Sequence, residues 1–68
     1  MEKIKINIEY ITLGQFLKIA NIISSGGAAK FFLAENEVYV NQELENRRGR
    51  KLYKDMTVKV LGKEYQIV

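Results

Sequence analysis

Arg47-Arg48-Gly49-Arg50-Lys51-Leu52-Tyr53-Lys54 gathers five of the chain's eleven Lys and Arg residues into eight positions with no acid among them. A guanidinium presents paired N–H donors that match the oxygens of a phosphate or stack on a base, and an ammonium adds a compact point charge. Outside the segment, six Lys and Arg face eight Asp and Glu, a formal −2 beside a local +5. One cationic surface on a mildly anionic body suits a polyanion, and nucleic acid is the expected partner. A solvated loop kept charged for solubility is the competing reading. Arg47, Arg48, Arg50 and Lys51 are the principal expected contacts, flanked by Lys54. Gly49 either lets the backbone pass close to a phosphodiester or makes a simple tight turn. Tyr53 either stacks on an unpaired base or caps the core as a half-buried ring.

The elements that position this segment are read from hydrophobic period. Ile4, Ile6, Ile8 and Tyr10 alternate with polar residues, which predicts a first strand with one buried face. At Thr12 the period changes: Leu13, Phe16, Leu17 and Ala20 fall on one helical stripe, and Thr12 with Gln15 matches a capping box. A first helix is expected from about Leu13 to Asn21. Ser24-Ser25-Gly26-Gly27 supplies capping hydroxyls and turn glycines, after which Ala29, Phe32 and Leu33 define a second helix ending near Asn36. From Glu37 the period returns to two. Val38 and Val40 point inward and Tyr39 outward, Asn41-Gln42 turns the chain, and Leu44 returns it as a hairpin. Val58 and Val60, a turn at Leu61-Gly62-Lys63, then Tyr65 and Ile67 form a second hairpin. The order β-α-α-β-β-β-β is an α+β fold, a two-helix hairpin packed on a small, mostly antiparallel sheet. The basic segment is then the connection between the hairpins, and residues 1–68 form a single domain.

On the second helix, Lys30 and Phe31 project away from the apolar stripe. An outward Phe is either a stacking platform beside Lys30 or packs under the N-terminal strand. Lys18 and Gln15 are peripheral on the first helix. Tyr39 and Asn41 can donate hydrogen bonds to phosphates or base edges, while Asn41 also suits the turn. Gly26-Gly27 could admit a phosphate, but the spacing is no nucleotide-binding fingerprint.

Sixty-eight residues bury roughly 60% of the unfolded surface, too little for a deep substrate cavity. Without Cys or His there is no thiolate, imidazole or soft-ligand metal site, and the acids are scattered. A non-catalytic binder is expected, with no cofactor, no metal and no small-molecule substrate. Apolar runs are short and Met1-Glu2-Lys3-Ile4-Lys5 has no apolar leader, so no membrane span or secretory signal is expected, and the cytoplasm is the expected compartment.

Ala29, then Val38-Tyr39-Val40-Asn41 after a two-helix unit, resembles the S-four RNA-binding domain, the αL motif. The strings Ile11-Thr12-Leu13-Gly14-Gln15-Phe16-Leu17-Lys18, Ser25-Gly26-Gly27-Ala28-Ala29-Lys30 and Glu45-Asn46-Arg47-Arg48-Gly49-Arg50-Lys51-Leu52 resemble its small stand-alone members of the YaaA type. The resemblance implies RNA binding by the second helix and the following hairpin, with ribosomal RNA or the ribosome, during assembly, as partner. Thr12-Leu13-Gly14 and Ser25-Gly26 stand where the family often carries arginine at the helix starts, and the cluster at 47–54 is the expected replacement. The expected protein is a monomer. Two other classes compete: a protein-interaction adaptor that docks the basic loop on an acidic protein surface with Phe31 as anchor, and a helix-turn-helix on duplex DNA. The near-neutral second helix argues against the last.

Overall fold

The computed structural model describes residues 1–68. Seven short strands and two helices follow one another as β1 (Glu2–Ile4), β2 (Tyr10–Thr12), α1 (Leu13–Ile19), α2 (Ala29–Glu35), β3 (Val38–Val40), β4 (Glu43–Leu44), β5 (Lys51–Tyr53), β6 (Thr57–Val60) and β7 (Lys63–Ile67), with a 3-10 turn over Gly26–Ala28 leading into α2. The fold is α+β, as the periodicity indicates. Five strands form one sheet in the order β1-β7-β6-β3-β4, antiparallel except where β1 lies parallel to β7. β2 and β5 form a separate antiparallel ribbon.

Period-two patterning places Val38, Val40, Val58, Val60, Tyr65 and Ile67 on the buried face of the larger sheet, against Leu13, Phe16 and Leu17 of α1 and Ala29 and Leu33 of α2. The Phe16 ring meets Tyr65 edge-on, with centroids 5.2 Å apart. Both expected hairpin turns are present. Asn41-Gln42 and Leu61-Gly62 each carry positive φ at both positions (49° and 72°; 52° and 75°), the geometry whose twist matches the flanking strands.

Three expectations are corrected. The first strand is two strands. Ile4 sits opposite Ile67 and Ile6 N–H bonds to the Val68 carbonyl, but the chain then bends over 7–9, Ile8 is left exposed, and the buried parity passes to Ile11. A one-residue change of phase sends the other set of side chains inward, so Tyr10 lies on the outer side of β2. Helix α1 stops at Ile19, before Asn21. Asn21 takes φ of 60°, its N–H bonds to Lys18 and that of Ile22 bonds to Leu17, a Schellman stop closed by an Asn. Lastly, the basic segment is only partly a connection, because Lys51-Leu52-Tyr53 is β5.

Candidate nucleic-acid interface

The segment at 47–54 is fixed from both ends. Leu52, fully buried, pairs with Ile11, which sends Lys51 and Tyr53 to the exposed side of the ribbon beside Thr12 and Tyr10. Upstream, the Arg48 and Arg50 carbonyls accept the first-turn N–H groups of α1, Gly14 at 2.9 Å and Leu13 at 2.8 Å. Those donors have no partner inside the helix, so the loop caps α1 with its backbone while Thr12 and Gln15 complete the capping box. Gly14 is where the pieces converge. A Cβ placed there would stand 3.5 Å from both the Ala29 and Arg48 Cβ atoms, so the loop passes close to the start of α2.

Charge within the loop is set by a residue that the sequence reading counted only among scattered acids. Glu45 is 6% exposed and accepts from Arg47 Nε (3.0 Å) and Nη2 (3.1 Å), from the Arg47 backbone N–H (3.0 Å), and from Arg50 Nη1 (2.8 Å). The Arg47 fork, helped by Arg50, outweighs burial and holds the Glu45 carboxyl at about 2, below the usual 4.5, while Glu45 raises the Arg47 guanidinium in return. The picture of an unopposed +5 is therefore corrected: Arg47 and Arg50 share an anion, and Arg48, Lys51 and Lys54 have no acid partner. Arg47 stays 72% exposed on its outer side, with N–H donors to spare, whereas Arg50 is 24% exposed. Lys51 Nζ lies 5.0 Å from the centre of the Tyr10 ring, in cation–π contact.

The expected contact residues fall into groups. Arg47, Arg50, Lys51 and Tyr53 line one shallow hollow with Gly49 and Met56. Lys54 lines a second, with Tyr53 as the shared wall. Arg48 enters on the α1–α2 side. Lys30 and Phe31 are exposed on α2, Phe31 at 71%, which excludes packing of that ring under the N-terminal strand. Tyr39 faces outward from the larger sheet and lines a different hollow with Met1 and Lys59. Its hydroxyl bonds to Glu37, which pushes the phenol above its ordinary value. Asn41 sits in the β3–β4 turn with φ of 49° and ties that turn to β6, its side-chain oxygen accepting the Thr57 N–H at 2.9 Å. Glu45 and Tyr10 escaped the sequence reading. An acid two residues before an arginine was the available signal for the first; for the second there was none without the β2–β5 register. No three His, Cys, Asp or Glu residues converge as metal ligands, and no helix is long and apolar enough to cross a membrane.

Among known proteins, the model of the S4 domain matches residues 4–68. The probable ribosome maturation protein RlbA of Bacillus subtilis (strain 168) is 61% identical over 59 residues, covering 87% of this chain and 83% of that protein. No solved structure gives a significant match. With its helix pair, mostly antiparallel sheet and near full-length match, the chain belongs to the S4 domain family.

Proposed function

We propose that this chain is an RNA-binding protein of ribosome maturation, a non-catalytic monomer of the cytoplasm in which residues 1–68 act as one S4 unit on structured ribosomal RNA. The observation that carries the reading is the gathering of cations on the loop and β5. Arg47, Arg50, Lys51 and Tyr53 border one hollow, with Lys54 beside it, and Arg48, Lys51 and Lys54 are free of acid partners. Membership of the S4 domain family and the name of the Bacillus subtilis relative point the same way.

In this mechanism Arg48, Lys51 and Lys54 neutralise phosphates and release counterions, while the exposed edge of Arg47 adds a directed contact without a full net charge. Lys30 extends the cationic surface along α2. Three neutralised phosphates give a slope of log K against log salt of about −2 to −3. Replacing Arg48, Lys51 and Lys54 together by Ala flattens that slope toward zero in filter binding to ribosomal RNA fragments. Retention of the parent slope by the triple variant removes the reading. The exposed Phe31 favours a second reading, an adaptor anchored on a protein partner. Recovery of ribosomal particles that survives nuclease treatment and disappears in Phe31→Ser supports the adaptor instead.

A further inference from the structure

The outer side of the β2–β5 ribbon holds two tyrosines for which the core has no use. Tyr10 and Tyr53 are register partners, with ring centroids 5.6 Å apart and planes inclined at 49°. At that tilt the rings touch along edges and leave a face of Tyr53 open, and the residue is 38% exposed. Ile11 and Leu52 already supply the ribbon's buried pair. Cross-strand contact between the rings contributes to pairing, yet this does not explain their surroundings. Tyr53 is the partition between two hollows, one strongly cationic and one in which a cation and an acid balance. On one side lie Arg47, Gly49, Arg50, Lys51 and Met56, around about 610 Å³. On the other lie Asn7, Ile8, Glu9 and Lys54, around about 500 Å³, with Ile8 58% exposed.

Resting on the RNA reading above, we infer that the Tyr10–Tyr53 ribbon is a stacking site for one unpaired nucleotide. The base lies on Tyr53 toward Ile8 and Asn7, and its backbone phosphate sits on the Arg47–Lys51 side. Net charge sets this direction: Glu9 offsets Lys54 in the Ile8 hollow, whereas Arg47, Arg50 and Lys51 outnumber the single Glu45 on the other side. Glu9 repels a phosphate but can accept from an exocyclic amine, and Asn7 offers an amide to a base edge. The cationic hollow does the reverse. Tyr10 acts as a positioning residue: its ring holds the Lys51 ammonium beside the phosphate path through the cation–π contact at 5.0 Å. A base inside a helix has both faces covered by its neighbours, so the occupant comes from a loop, bulge or end.

The test compares three RNA probes on the full chain: a single strand of about ten nucleotides with a central 2-aminopurine, the same sequence fully paired, and a duplex with one bulged 2-aminopurine. The parent quenches 2-aminopurine in the single strand and the bulge. Tyr53→Leu weakens those two probes by about fivefold to a hundredfold, with the salt slope unchanged, and leaves the duplex as it was. Tyr53→Phe, which keeps the ring, binds as the parent. Tyr10→Leu weakens every probe slightly through Lys51 and leaves the quenching in place. Circular dichroism confirms that each variant is folded. Equal loss on all three probes in Tyr53→Leu, or a loss in Tyr53→Phe as deep as in Tyr53→Leu, overturns the stacking site. If the parent binds and the Arg48, Lys51 and Lys54 variant does not, while Tyr53→Leu is silent, the stacking site alone falls. No binding of any probe by the parent removes the RNA reading with it.

Discussion

The larger sheet and the β2–β5 ribbon are built from the same alternating pattern but are held in place by different forces. Along β3, β6 and β7, six inward side chains are buried against two helices, and apolar burial fixes the register. The ribbon has one buried pair, Ile11 and Leu52. Its loop is positioned by directed polar bonds instead: two α1 N–H groups on the Arg48 and Arg50 carbonyls, and Glu45 on Arg47 and Arg50. The contrast teaches that a cationic surface cannot be organised by burial, because its side chains must remain in water. The backbone and one sheltered acid do the organising.

The sharpest way to break the comparison is to damage the apolar side. Phe16→Ala, which empties a fully buried site against Tyr65, is expected to cost about 3–5 kcal/mol in urea denaturation, enough to unfold much of so small a domain. A loss below about 1 kcal/mol would show that the ribbon, not the sheet, carries the stability.

The polar side breaks more gently and changes function more. Glu45→Gln is expected to destabilise by about 1–2 kcal/mol, less than a fully buried pair would, because Arg47 is open to water. It also frees Arg47 and Arg50, so the salt slope of RNA binding steepens by about one to two. An unchanged slope means that those guanidiniums never reach the RNA. The pH dependence follows from the depressed Glu45 carboxyl. Above about 4.5 the acid is ionised in both folded and unfolded chains and its contribution is fully present; it fades as pH falls toward about 2, where the folded-state carboxyl protonates. The stability gap between parent and Glu45→Gln is therefore flat from pH 8 to 5 and closes below, as acid melts of both chains will read.

The smallest effect lies where the two regions join. Thr12→Ala removes the hydroxyl that caps α1 and is expected to cost about 1 kcal/mol by thermal melt. If the loop carbonyls of Arg48 and Arg50 alone suffice to cap α1, the loss stays within about 0.5 kcal/mol.

Much of the fold was legible locally. The capping box at Thr12 and Gln15, the stripe of α1 and α2, the inward rows of β3, β6 and β7 and both tight turns each depend on residues within a turn or two of one another. The candidate site was legible as composition, because Arg47 through Lys54 are neighbours in sequence. Its electrostatics were not: nothing in the order Glu45-Asn46-Arg47 says whether that acid points to solvent or folds under the arginines. Nor could the alternation from Ile4 to Tyr10 reveal that the chain changes sheets midway.

Sequence by itself determined the α+β composition of elements, the apolar faces and the concentration of positive charge, since these follow from side-chain chemistry and local period. Only the tertiary structure decided that β1 joins β7, that Lys51 to Tyr53 become a strand beside Tyr10, and that Glu45 neutralises part of the cationic loop. The physical reason is that period fixes which face of a segment is buried, whereas pairing is chosen by what remains unsatisfied elsewhere in the chain. The open edge of β7 and the bare N–H groups of α1 were filled by segments far away in sequence.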